Sequence, residues 1–193
     1  MCGRFHLNID GDFKGVPLKF TRGDVFPSEI CPIMNQNKEI KHLKWGFPIE
    51  GLNKLIINAR SETIIDKRTF RDLLENNRCV IPAEFFYDWD KNKIKYKVSL
   101  KNIDRFSMAG LYKKCIDKNK KEFWGFVIIT TSANREMSKI HHRMPVIFDR
   151  EAEEKWLSNE EDIFKVKNLL KPYKDGVLKV ESQAKTEQIK FNI

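Results

Sequence analysis

No apolar run in the sequence is long enough to span a bilayer. The longest, Phe123 to Ile129, falls far short of the ~20 residues that a transmembrane helix needs. A signal-peptide core is also missing, because Arg4, His6 and Asp10 interrupt the first residues. A cytoplasmic protein without membrane attachment is expected. Cysteine is scarce, with four residues at 2, 31, 79 and 115 and no CxxC pair, so the common zinc spacings are absent. In a reducing compartment these are four free thiols, three of them ordinary buried cysteines. There is no GxGxxG or P-loop motif, no internal repeat and no Pro- or Gly-rich linker. Neither a Rossmann-type cofactor site nor a nucleotide site has support, and no cofactor is expected.

What is present suits one folded domain spanning residues 1–193. Hydrophobic residues make up 41% of the 193, including 14 Phe, enough for a sizeable core and too many for a disordered chain. The net charge of +9 permits a nucleic-acid partner. Lysine, however, is spread through the whole chain beside Asn and Ile, which is a compositional bias. The ten arginines carry more information about where phosphates would sit.

Short β-rich runs recur at Leu55–Asn58, Cys79–Ile81, Phe85–Trp89, Ile94–Leu100, Arg105–Leu111, Phe123–Thr130 and Val146–Phe148. Several alternate with period two, as at Tyr96, Val98 and Leu100. Helical signals are fewer. Phe70, Leu73 and Leu74 form an i, i+3, i+4 stripe in Lys67–Asn77, and Asp149 is placed to cap a helix over Arg150–Leu157. Ser158 and Glu161 read as a capping box opening a further helix that Pro172 ends. The sum predicts an α+β fold with a mainly antiparallel, barrel-like β core and peripheral helices. Residues 171–193 read as a basic terminal arm lying on the sheet.

Four clusters hold candidate chemistry. The chain opens Met1-Cys2-Gly3-Arg4-Phe5, and removal of Met1 before a small residue leaves Cys2 with a free α-amine next to its thiol. Such an aminothiol condenses with an aldehyde to an imine, and the thiol then closes a thiazolidine ring; from position alone, a frayed start with an irrelevant cysteine is the favoured explanation. An α-amine of pKa ~7.7–8.0 is roughly a fifth to a third neutral at pH ~7.4, whereas lysine at ~10.4 is about one part in a thousand neutral. The second cluster is Asn58-Ala59-Arg60-Ser61-Glu62-Thr63, where a strand puts Asn58 and Arg60 on one face, with Arg68 close behind. A surface Arg60 paired to Glu62 explains it equally well. Third, Glu84, Phe86 and Asp88 alternate with Phe85, Tyr87 and Trp89, which places two carboxylates on one strand face as potential acid–base groups. Solvated acids on a core strand are the commoner explanation. Fourth, His141-His142-Arg143-Met144-Pro145 sets an imidazole beside a guanidinium. The histidine pair lacks the companion ligands of a metal site, and no metal is expected.

Together Met1–Phe5, Trp45-Gly46-Phe47, Asn58–Thr63, Ile81–Trp89, Ile129–Thr131 and His141–Val146 resemble the SOS response-associated peptidase (SRAP) family over residues 2–157. That resemblance implies shielding of abasic sites in single-stranded DNA through a thiazolidine crosslink formed by Cys2. It implies that Asn58 positions the nucleophile and that Asp88 and His141 move protons. Arg4, Trp45, Arg60, Arg68 and Arg143 become DNA-binding residues, with Pro27 and Thr130 near the site. The expected partner is single-stranded DNA containing abasic sites, bound by a monomer in the cytoplasm and at the nucleoid. The family places Glu where this chain has Asp88, a side chain shorter by one methylene, and Glu84 is a possible substitute. The Gly46–Lys54 loop is also short. The family's name implies, as alternatives, a thiol peptidase or autopeptidase that removes its own Met1. An AP-lyase activity through the imine, or a non-covalent single-strand binder, are the remaining readings.

Overall fold

Strand-forming residues dominate the chain, and the computed structural model, which describes residues 2–184, resolves them into two principal sheets. Five strands close into a barrel: β3 (Ile30–Asn35), β4 (Ile40–Trp45), β8 (Arg78–Ala83), β11 (Phe106–Ile116) and β12 (Glu122–Ser132). Neighbours pair antiparallel around the ring β4-β3-β8-β11-β12, and a parallel β12–β4 pairing closes it. Closure leaves no free edge among these strands. Ile33, Val80, Ile81, Leu111, Phe126 and Ile128 are fully buried. Each contributes about 1.5–3 kcal/mol relative to exposure.

Gly110 permits the tight seam between β8, β11 and β12. A Cβ there would lie 2.3 Å from Ile81 Cδ1 and 2.9 Å from the Val127 carbonyl. Gly46, at φ +120°, turns the chain out of β4, and its N–H donates to the Phe126 carbonyl at 2.7 Å. The Trp45-Gly46-Phe47 motif is therefore a barrel corner.

The second sheet is antiparallel, in the order β15 (Leu178–Ser182), β10 (Lys95–Leu100), β9 (Phe85–Trp89), β1 (Arg4–Phe13) and β2 (Val16–Val25). Its inner face, Phe5, Leu7, Phe86 and Val98, packs on the barrel, with Phe5 5.2 Å from Trp45 and Phe86 6.4 Å from Phe106 between ring centroids. Short strands complete the set: β5 (Phe47–Pro48) with β6 (Leu55–Ile56), β7 (Asn58–Arg60) parallel to β12, β13 (Arg143–Pro145) on β12, and β14 (Ile147–Phe148) on β11. Within the predicted terminal arm, Leu178–Ser182 pairs with β10, while residues 185–193 lie outside the described residues.

Among the described residues, three α-helices lie outside the sheets. Both α1 (Arg68–Asn76) and α2 (Arg150–Leu157) fall where periodicity places them, and Asp149 caps α2 by accepting from Ala152 N–H at 3.0 Å. The predicted Ser158–Glu161 capping box does not form. Ser158 instead terminates α2, and Asp162 caps α3 (Ile163–Asn168) by accepting from Phe164 N–H. Asp162 stands directly before the first apolar residue of that helix, so its carboxylate reaches the free N–H without a box. No helix among the described residues is long and apolar enough to cross a membrane.

Candidate active site

Cys2 is carried into the fold by β1. Phe5 and Leu7 bury their side chains, and the antiparallel register sets Arg4 opposite Tyr87 and Phe5 opposite Phe86. Running that register back past Arg4 brings the chain's start alongside Asp88. Cys2 is 0% exposed and Asp88 2%. The Asn58 side-chain amide donates to the Cys2 carbonyl at 3.0 Å across 56 residues of sequence. Asn58 Oδ1 is buried without a hydrogen-bond partner, which leaves an acceptor over in the pocket.

Burial pushes the Cys2 thiol well above its ordinary pKa, and the negative charge of Asp88 pushes it further. The sulfur is a neutral S–H, directed toward the Arg4 carbonyl. His141 is held below its ordinary pKa, chiefly by burial, against the opposing pull of Asp88. Its Nδ1 accepts the Arg143 backbone N–H at 3.0 Å, so the neutral ring carries its proton on Nε2. The charge of Asp88 therefore acts on both the thiol and the imidazole, which brings Cys2, Asn58, Asp88 and His141 into one site.

Other expected site residues are placed differently. Trp45 cannot be a DNA contact: it is 0% exposed, stacks on Phe126, and donates from Nε1 to the Ile57 carbonyl at 3.0 Å. That bond supports the residue before Asn58 from behind. The predicted Leu55–Asn58 strand is divided at Ile57 into β6 and β7. Arg143 is not an available phosphate ligand either. It is 7% exposed, donating to Glu62 Oε1 at 2.7 Å, the Thr130 carbonyl at 2.6 Å and Thr130 Oγ1 at 3.1 Å. Glu62 thus pairs with Arg143, leaving Arg60 exposed on β7. Buried Thr130 joins this knot to β7 through the Ala59 carbonyl at 3.4 Å. The knot clamps the strand that carries Asn58 to the segment that carries His141.

Glu84 does not share the pocket with Asp88. A bend at Glu84 breaks the alternation and turns its carboxylate to the outer face, where it accepts from Asn8 N–H at 3.1 Å and lies 3.9 Å from His6 Nε2. Arg4 is half-buried on that outer face, with its guanidinium 4.3 Å over the Phe26 ring and 4.0 Å from Asp24. Pro27 is half-buried in the turn after β2, beside exposed Phe26. Arg68 opens α1 and is exposed. The motifs do not single out Tyr96, although the β9–β10 register sets it directly opposite Asp88. Its period-two placement was the available signal. All four cysteines are free and buried.

The fold and site define a class: a barrel-cored protein with a buried cysteine at position 2 beside a carboxylate and an imidazole. The chain belongs to the SOS response associated peptidase (SRAP) family, whose sequence profile matches residues 1–186. It is 35% identical over 198 residues to the abasic site processing protein YoqW of Bacillus subtilis (strain 168), covering 90% of this chain and 88% of that one. To the abasic site processing protein YedK of Escherichia coli (strain K12) it is 26% identical over 180 residues, covering 83% and 81%. A crystal structure of a protein from Bacteroides thetaiotaomicron superimposes with a TM-score of 0.75 at 29% identity, covering 84% of this chain and 78% of that one. The profile extends beyond the expected 2–157 through the β15 arm, which supplies the edge of the second sheet.

Proposed function

We propose that this protein captures abasic sites in single-stranded DNA as a thiazolidine formed by Cys2. The observation that carries the reading is the Asn58–Cys2 bond, which holds the chain's start in a pocket shared with Asp88 and His141. With Met1 attached, the Cys2 nitrogen is an amide and inert toward aldehydes; its removal frees the amine. The amine nitrogen adds to the C1′ aldehyde of the ring-opened sugar, and loss of water gives the imine. The sulfur then bonds to the imine carbon as the thiol proton passes to nitrogen, giving a stable five-membered ring.

The neutral thiol suits this order of events, because the amine acts first and sulfur is needed only for closure. His141 Nε2–H is suited to hydrogen-bond the departing hydroxyl, and Asp88 to accept the proton that the nitrogen loses and return it as the hydroxyl leaves as water. Arg60 and Arg68, both exposed, are assigned to flanking phosphates. A cysteine peptidase instead requires a thiolate, and burial beside Asp88 opposes one here. Ring closure also competes with β-elimination at the imine, so strand cleavage is minor.

The test is a denaturing gel with Met1-free protein, verified by intact mass, and a uracil-containing single strand treated to excise uracil, without borohydride. A heat-stable shifted band for wild type and none for Cys2→Ala is expected. No band for wild type overturns the proposal. Acetylating the α-amine while sparing the thiol abolishes the band; its survival would point to thiol-only chemistry.

A further inference from the structure

The outer face of the second sheet combines aromatic rings and cations that the Cys2 site does not use. Phe85, Tyr87 and Trp89 alternate with inward Phe86 and Asp88, so all three rings lie on one side of β9. Opposite them in register, Lys97 faces Tyr87 and Lys95 faces Trp89. The ammonium of Lys95 lies 3.8 Å from the Tyr87 ring centroid, and that of Lys97 4.2 Å from Phe85. The Arg4 guanidinium adds a third cation, 5.7 Å from Tyr87 and 5.5 Å from Trp89. At the β9–β10 turn, Lys91 and Lys93 are exposed, extending a lysine at every second position from 91 to 97. The Asp90 carboxylate is occupied in that turn, accepting from the backbone N–H groups of Asn92 and Ile94.

We propose that the outer face of the β9–β10 hairpin is a second nucleic-acid subsite, which binds single-stranded DNA flanking the captured nucleotide. It rests on the function proposed above and adds to it a footprint. Two physical requirements of sequence-independent single-strand binding meet here: stacking faces for bases and cations for the backbone. The cations lie over the rings in the free protein. Approaching phosphates draw the flexible lysine ammoniums away and leave ring faces open to bases. The face meets the reacting site at the end of the sheet, where outward Trp89 follows inward Asp88 on β9 and outward Arg4 lies two residues from Cys2. Its acidic groups are Asp24, 4.0 Å from Arg4 and 2.8 Å from His6, Glu84, 3.9 Å from His6, and Glu181, opposite Lys97 and 3.0 Å from Lys179. The strand therefore tracks along Trp89, Lys95 and the Lys91–Lys93 turn, away from these carboxylates.

The experiment measures the affinity of undamaged single-stranded DNA of about 15 nucleotides by fluorescence anisotropy across a salt series. Lys95→Glu/Lys97→Glu is compared with Lys118→Glu/Lys120→Glu, which changes net charge equally at the exposed β11–β12 turn. The hairpin variant is expected to bind about tenfold more weakly at ~0.1 M salt. Its log K against log salt slope should be shallower by about 1.4, from two lost contacts at ~0.7 each. Trp89→Leu should cost about fivefold or more, with Trp89→Phe restoring affinity, which a purely electrostatic surface would not do. Equal losses in both charge variants, or none in either, overturn the subsite. Wild type that binds this DNA through the hairpin but never crosslinks an abasic strand would sink the proposed function and leave the subsite standing.

Discussion

Two buried polar clusters in this protein use similar groups for opposite ends. At Arg78, 2% exposed, the guanidinium donates to the Leu74 and Glu75 carbonyls at the end of α1 and to the Trp156 and Ser158 carbonyls at the end of α2. One cation thereby satisfies the free C-terminal carbonyls of two helices and lies where their dipoles favour positive charge. In the Cys2 pocket Asn58 spends its amide on the Cys2 carbonyl and keeps Oδ1 unpartnered. The Arg78 cluster saturates the ends of two helices, whereas the Asn58 amide keeps an acceptor over.

Breaking each cluster should separate stability from chemistry. Cys2→Ala abolishes the crosslink entirely while lowering stability by only about 1–2 kcal/mol, as a small buried side chain is trimmed. If unfolding by denaturant instead shows a loss as large as at Arg78, the contrast fails. Arg78→Met should destabilise by about 3–5 kcal/mol, since several carbonyls lose a charged donor. Its folded fraction should crosslink at the wild-type rate.

Within the pocket, Asp88→Asn should slow single-turnover crosslinking about 100-fold, in the range of general acid–base contributions. Glu84→Gln, on the outer face, should change it less than twofold, and the opposite ranking would move the proton-transfer role to Glu84. The smallest effect concerns His141. Its folded pKa lies below the unfolded value of about 6.5, so the unfolded chain binds the proton more readily. Its stabilising contribution is complete above that value and is lost as pH falls through the folded pKa. His141→Gln should therefore flatten the decline of stability between about pH 6.5 and 5. An unchanged decline would show that the imidazole is not desolvated.

The candidate site was legible in sequence through its resemblance to one family. Asn58, Asp88 and His141 each sit in a short run whose alternation could be read, but neither that alternation nor the position of Cys2 singled them out. The roles of the arginines and Trp45 were not legible. Burial of Trp45 depends on β12 pairing with β4, and the Glu62 contact that occupies Arg143 spans 81 residues. The early strands were also missed. In β2, Lys19, Thr21, Arg22 and Asp24 interrupt the apolar pattern, since most of that strand faces solvent.

Local sequence is enough for the α+β character, the helices over Arg150–Leu157 and near Lys67–Asn77, and a cysteine at position 2 that becomes an aminothiol once Met1 is removed. Those properties are local, set by alternation, capping and covalent chemistry. Long-range packing sets the parallel seam that closes the barrel, the raised pKa of the Cys2 thiol, and which charged groups remain exposed. Each depends on burial or on pairing between residues distant in the chain, and low-dielectric surroundings arise only when strands from across the sequence meet.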